Sequence, residues 1–565
     1  MFLPETRDEM KRLGWKSLDV IIVTGDAYID SPYIGAAVIG KYLLASGFRV
    51  GIIAQPDPSF PSDITRLGEP ELFWGVTGGS IDSMVANYTP LKKPRKSDDL
   101  TPGGENCRRP DRAVIVYSNM IRRNFKNTKP IVLGGIEASL RRIAHYDYWS
   151  DTVRRSVLFD AKADYLVYGM GERSAREIAL CLRSGHDPRT IPGICHIAKE
   201  CPAGFVELPS YEEASSDRIK FIDMFDEFYR NNDPVTANGL VQRHGDRYLV
   251  QNPPQANMTP EELDAVHDLD FEREAHPLDA AKGRIAAQDT IRFSITTHRG
   301  CYGECNFCAI AVHQGATVIS RSEGSILREA EKISKLKGFK GNITDLGGPS
   351  ANMYGIECAK KLSRGKCRDK RCLFPEKCPT LIISHKKQIE LLKKVSAIPG
   401  VKKVFVGSGV RHDMVFEDNE FGKSYLERLV NYHVSGQLKL APEHSEESVL
   451  RAMGKPGIKY LKEFRAEFFK ISERAGKKQF LTYYLIAAHP GCGEKEMKKL
   501  RNFVIKELGI RPEQVQIFTP TPSTYSTLMY YTGMDPVTRK WIYVERGHEG
   551  KETQKELITK LKSFK

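Results

Sequence analysis

A chain of 565 residues is long enough for three or four domains at roughly 150 residues each. With 41% hydrophobic and 28% charged residues it can build real cores, so a disulfide-stapled mini-protein is excluded, and no apolar run approaches the ~18 residues a membrane span needs. Lys+Arg exceed Asp+Glu by 85 − 71 = +14, spread along the chain, which reads as a basic solvated surface before it reads as a nucleic-acid groove.

The opening, MFLPETRDEMKRLGW, has no basic stretch followed by an apolar one, so a cytoplasmic protein is expected. An apolar run at 19–26, a helix at about 31–46 stopped by Gly47, and a second apolar run at 48–54 make a parallel strand–helix–strand unit. Further buried-looking strands are expected at 113–117, 130–133 and 165–168, which makes residues 1–205 an open, doubly wound Rossmann-like sheet. The loop at 90–112, LKKPRKSDDLTPGGENCRRPDR after Pro90, reads as a mobile surface insertion, or else as a lid or an anion-binding loop. Residues 206–285 read as a linker with helical hairpins.

From 286 to 530 strands and helices alternate. Strands are expected at 291–296, 342–346, 380–383, 402–406, 437–441 and 480–486. Helices are expected at 326–336, 386–395, 421–432, 445–453 and 461–475. About six βα units in succession predict a partial TIM-type α/β barrel. Residues 531–565 read as a basic, mostly helical tail.

Seven of the twelve cysteines lie between Cys301 and Cys378. In a chain without an export signal such clustering points to metal or redox chemistry before disulfides. Cys301, Cys305 and Cys308 follow the spacing C-x3-C-x2-C, in a loop just after the first barrel strand, where barrel active sites lie. Three thiolates there can hold three irons of a [4Fe–4S] cluster and leave the fourth iron open. With His298 they could instead make a four-ligand zinc site. A second set, Cys358, Cys367, Cys372 and Cys378, falls in a basic insertion at 356–379 and could hold an auxiliary iron–sulfur cluster or zinc.

The Cys301–Cys308 motif resembles the signature of the radical S-adenosylmethionine (SAM) superfamily, with Phe307 as the aromatic before the third cysteine. Asp345-Leu346-Gly347-Gly348-Pro349 resembles that family's glycine motif at the SAM amino group, with Pro349 where Glu is usual. The segment 404–411, with Ser408 and Arg411, falls where the family meets the SAM ribose and carboxylate. Segments 438–454 and 485–491 resemble later strand regions of methylthiotransferase-like members; His412, His444 and His489 lie on strand-end loops. Residues 131–139 and 163–172 resemble the cobalamin-binding-type Rossmann domain that precedes some of these barrels. The D-x-H-x-x-G motif is missing, so a histidine-ligated cobalamin is not expected.

Taken in order, these blocks resemble the YgiQ-like radical SAM family. The resemblance implies a [4Fe–4S] cluster, SAM cleaved reductively to a 5′-deoxyadenosyl radical, and a flavodoxin- or ferredoxin-type electron donor. It leaves the substrate open, RNA included. A methylthiotransferase-like modifier of RNA or protein is the nearest alternative. A non-catalytic, zinc-containing nucleic-acid-binding protein is the alternative from another class.

Overall fold

The computed structural model describes residues 1–560 except 369, 511 and 513. The end of the expected tail, 561–565, lies outside the described residues. The chain divides into two compact units: Met1–Asn257 with Ala265–Arg292, and Met258–Asp264 with the chain from Phe293 onward.

The first unit is built on a nine-stranded sheet. Its strands are β1 Val20–Thr24, β2 Val50–Ala54, β3 Phe73–Thr77, β4 Ile131–Gly134, β7 Tyr165–Val167, β8 Ile194–Ala198, β9 Val206–Leu208, β10 Leu240–His244 and β11 Arg247–Gln251. A separate hairpin pairs β5 His145–Asp147 with β6 Thr152–Arg154. The sheet order is β2-β1-β3-β4-β7-β8-β11-β10-β9. It is parallel from β2 to β7, and antiparallel where β7 meets β8, β8 meets β11 and β11 meets β10. Every residue of β1 and β2 is buried, as expected of parallel strands covered on both faces. The chain leaves β1 for β2 on one side and returns to β3 on the other, so the order reverses between β1 and β3.

Three expectations for this unit are corrected. Residues 113–117 open a helix, Ala113–Asn124, which buries Ala113, Val114, Tyr117, Ser118, Met120 and Ile121 along one face. The β-branched run AVIVY imitates a strand because a five-residue window cannot separate the two periods. Residues 206–285 are not a helical linker: β9, β10 and β11 extend the sheet, and helix Arg218–Arg230 buries Phe221, Ile222, Met224, Phe225, Phe228 and Tyr229. The loop at 90–112 is pinned rather than a loose insertion. Leu100, Thr101 and Arg109 in it are buried, and Arg109 pairs with Asp26 (2.7 Å) and Asp98 (3.1 Å). The unit closes through its ends: His276 lies 3.1 Å from Glu5 and 3.2 Å from Glu9, stacked on Tyr28.

The second unit is an arc of parallel strands. β12 Ser294–Thr296 pairs with β16 Asp345–Gly347, and β15 Asn342–Ile343 pairs with β17 Lys403–Val404. A parallel bridge from Val410 to Leu440 leads on to β18 Gln437–Glu443, β19 Phe480–Ala487 and β20 Gln516–Ile517. A short antiparallel pair, β13 His298–Arg299 with β14 Ile319–Ser320, carries the thiol loop between its strands. Helix Lys459–Arg474 packs Leu461, Phe464, Phe468 and Ile471 inward, each worth ~1.5–3 kcal/mol when fully buried.

The expected strand at 380–383 is absent. The Leu381 N–H bonds the Cys378 carbonyl at 3.0 Å in a turn, and the third strand of the arc is β17, paired directly to the second. The sixth strand is β20. The tail is docked rather than free: helix His548–Thr559 buries Lys551, Gln554 and Ile558 and packs on helix Glu494–Phe503. No helix among the described residues is long and apolar enough to cross a membrane.

Candidate functional site

The thiol loop leaves β13 at the C-terminal end of the arc. A Cβ placed on Gly303 would lie 3.3 Å from the Cys301 Sγ, 3.6 Å from the Cys305 Sγ and 2.7 Å from an Arg411 Nη, so two thiols and a guanidinium surround one point. The Cys308 N–H bonds the Cys305 carbonyl at 3.0 Å and completes the loop. Asn306 fastens it to the segment after β18, with its N–H on the Met453 carbonyl and its Nδ2 on the Ala452 carbonyl, both 2.8 Å. Burial first, then the Cys305 and Cys301 thiols, pushes Cys308 up to about 12. A thiolate at that depth needs a strongly cationic partner such as a metal centre.

Arg411 is held rigidly. Its Nε and Nη2 grip Asp413 at 3.1 and 2.5 Å, and its N–H donates to the Asn352 Oδ1 at 2.8 Å. Asn352 Nδ2 donates to the Arg411 carbonyl (3.0 Å) and to His385 Nε2 (3.2 Å), and His385 Nδ1 meets Asp418 at 2.8 Å. Burial would raise the Asp413 carboxyl, but the Arg411 guanidinium overrides it and holds it at about 2. The pair therefore stays ionised.

Asp345 ties the glycine motif to the loop after β17. It accepts the Gly407 N–H (2.8 Å), the Ser408 N–H (3.1 Å) and the Ser408 hydroxyl. A Cβ on Gly347 would lie 3.3 Å from the Ser408 Oγ, so those two expected residues are neighbours. Gly348 abuts His298, whose Nδ1 meets the Thr297 hydroxyl at 2.9 Å. Burial holds His298 at about 4, hence neutral. Its ring faces the glycine motif, and among the described residues no three His, Cys, Asp or Glu side chains gather around one point as a single zinc requires. Phe307 lies edge-on to His489, ring centroids 6.3 Å apart.

Some groups here were not foreseen. Glu443, at φ +67° at the end of β18, is buried and 3.5 Å from Lys455, and its charge reaches Cys308. Cys492 lies 3.5 Å from His444 Nε2, and His489 Nε2 lies 2.6 Å from the Ser526 hydroxyl. Their only sequence signal is the resemblance of the surrounding segments, because each partner is remote in the chain.

In the first unit the crevice where the strand order reverses is where open α/β sheets take ligands. Here Arg109, Asp26 and Asp98 occupy it, and Gln55 Nε2 bonds the Gly25 carbonyl (2.9 Å) and the Thr101 hydroxyl (2.7 Å).

A Rossmann-like sheet and a partial barrel bearing a C-x3-C-x2-C loop define a radical SAM type of protein. Residues 2–294, just over half the chain, match the family model described as Radical SAM N-terminal. The chain is 55% identical over 559 residues to a UPF0313 protein of Fusobacterium nucleatum, covering 99% of this chain and 98% of the relative. A UPF0313 protein of Thermotoga maritima is 50% identical over 561 residues, covering 99% and 98%. The chain belongs to the UPF0313, or YgiQ-like, family of radical SAM proteins.

Among solved structures, the fold is similar to the radical SAM methyltransferase TsrM of Kitasatospora setae with cobalamin and a [4Fe–4S] cluster bound. The TM-score is 0.53 at 15% identity, covering 90% of this chain and 74% of that one. It is also similar to the cobalamin-dependent SAM radical enzyme OxsB with aqua-cobalamin bound, at TM-score 0.50 and 11% identity, covering 91% and 55%. Both of those proteins were solved with cobalamin bound.

Proposed function

We propose that this chain is a radical SAM enzyme in which Cys301, Cys305 and Cys308 hold three irons of a [4Fe–4S] cluster and SAM takes the fourth. The observation that carries this reading is the meeting of the thiol loop with the Arg411 guanidinium at the C-terminal end of the arc. When bound, the cluster supplies the one electron that opens a sulfonium C–S bond of SAM. Arg411, ionised against Asp413, sets a fixed cation beside the thiols. The backbone at Gly347 and Gly348 would hold the SAM amino group, and Ser408, the neighbour of Gly347, would meet the ribose. Phe307, next to Cys308 in the chain, lies edge-on to His489 and sets an aromatic surface beside the third thiol.

The electron comes from a flavodoxin- or ferredoxin-type donor. The substrate is open; the +14 balance, spread along the chain, is compatible with an anionic one such as RNA. Cobalamin is a further ligand to test, on the likeness to two proteins that hold it.

The test is anaerobic incubation of the reconstituted chain with reductant and SAM. 5′-Deoxyadenosine is expected from the wild type and none from Cys305→Ala, with unchanged circular dichroism because the first unit has its own core. Full SAM cleavage by that variant would overturn the reading. Added RNA and metabolite fractions then reveal the partner whose mass changes.

A further inference from the structure

Glu304 sits between Cys301 and Cys305, but its side chain serves a different neighbour. At φ +42° its backbone is left-handed, a conformation that is uncommon for a side-chain-bearing residue. Its carboxylate meets Lys366 at 2.6 Å and Lys361 at 3.8 Å, and its carbonyl accepts from Arg371 Nη1 at 2.8 Å. All three cations belong to the insertion that carries Cys358, Cys367, Cys372 and Cys378.

Those four cysteines line a single recess together with Glu304, Lys361, Lys366, Lys370 and Arg371. The recess backs onto the thiol loop. The Tyr302 hydroxyl accepts the Cys358 N–H at 3.2 Å, and Cys301 and Cys372 both pack on the core that contains Tyr302, Cys358 and Cys378. The Cys378 N–H bonds the Cys372 carbonyl at 2.9 Å, which draws the last two cysteines into one turn. Lys361 is 3% exposed and its Nζ donates to the Cys372 Sγ at 3.6 Å.

We propose that Cys358, Cys367, Cys372 and Cys378 ligate a second iron–sulfur cluster of the four-iron type, set directly behind the loop of Cys301, Cys305 and Cys308. Zinc would draw four sulfurs to ~2.3 Å from one point. The four thiols are spread around one recess, and among the described residues no three of them converge on one point. A four-iron cluster takes one thiolate at each of its separated corners. Ligated by four thiolates it is anionic, and Lys361, Lys366, Lys370 and Arg371 supply the compensating charge. None of the four cysteines is in a disulfide. The site itself does not depend on the function proposed above; only its position beside a SAM-binding cluster does.

Iron, sulfide and zinc are to be counted on the anaerobically reconstituted full chain, on a Cys301→Ala/Cys305→Ala/Cys308→Ala variant and on a Cys358→Ser/Cys372→Ser variant. About eight irons per chain are expected in the wild type and about four in each variant, from two four-iron clusters. The first variant should cleave no SAM yet keep an iron–sulfur absorption spectrum. Zinc in place of the second set of irons, or full wild-type iron in the Cys358→Ser/Cys372→Ser variant, would overturn the proposal. If that variant does not fold, the first decides alone: loss of all its iron overturns the site. If instead the first variant keeps all the wild-type iron and the second loses it, the second site stands and the proposed function fails.

Discussion

At position 348 the side chain of His298 dictates glycine. A Cβ there would come within 2.4–2.8 Å of three ring atoms, and the ring is buried and held by Thr297. Gly348→Ala is expected to cost ~1–3 kcal/mol through overpacking. Thermal unfolding of the cluster-free chain checks this; an unchanged midpoint would mean that the ring can yield. The three cysteines of the loop stand out in the sequence because their pattern is complete within eight residues. Glu304, Glu443 and Cys492 were not, because Glu304 finds Lys366, Glu443 finds Lys455 and Cys492 finds His444 only once strands, insertions and loops have folded. Ser408 and Gly347 were foreseen separately from family resemblance; that Asp345 joins them is a product of the register between neighbouring strands.

Among the elements, the loop at 90–112 departs furthest from its sequence character. Its Lys, Arg, Gly and Pro content reads as solvated, yet one arginine sets its place. Arg109→Ala removes the cation shared by Asp26 and Asp98 and leaves two buried carboxylates unpaired. A loss of ~3–5 kcal/mol is expected, the cost of breaking a buried pair from one side. The urea midpoint of the first unit measures it, and a shift equal to that of an exposed Arg95→Ala control would refute the anchoring. The helix at Ala113–Asn124 and the strands after 205 were misread for one physical reason. Short β-branched runs and short strands carry too few residues to show their period, and the neighbours that decide between them are remote in sequence. The alternating strands and helices from 286 onward were legible where the amphipathic helices are long, as at Glu323–Ser334, Lys386–Ser396 and Lys459–Arg474; the missing strand at 380–383 lies where the cysteine-rich turn takes over.

At the scale of the whole molecule, burial keeps many histidines neutral. In the second unit it holds His412 and His433 at about 4 and His444 and His489 at about 3. Unfolded, each would titrate near the ordinary ~6.5. Between roughly pH 6.5 and 4 the unfolded chain therefore binds more protons than the folded one, and stability falls as pH falls. In the same unit the buried Glu443 carboxyl, raised chiefly by burial, works in the opposite sense but is one group against five once His298 is counted. The melting temperature of the cluster-free chain is expected to drop from pH 7 to pH 5, as stability falls by on the order of 1 kcal/mol per histidine per pH unit below ~6.5. A melting temperature that is flat or rising over that interval would contradict the neutral assignment.

The clasp of Glu5 and Tyr28 on His276 also sets a clock. A ribosome adding ~5–20 residues per second takes roughly 11–44 s to travel from the end of β2 at Ala54 to His276. Throughout that interval β1 and β2, buried along their whole length in the folded unit, have been made, while the segment that seals them has not. Newly made chains thus pass through a period of exposed hydrophobic surface whose length is set by translation rate, and faster elongation or an added holdase should raise the soluble yield.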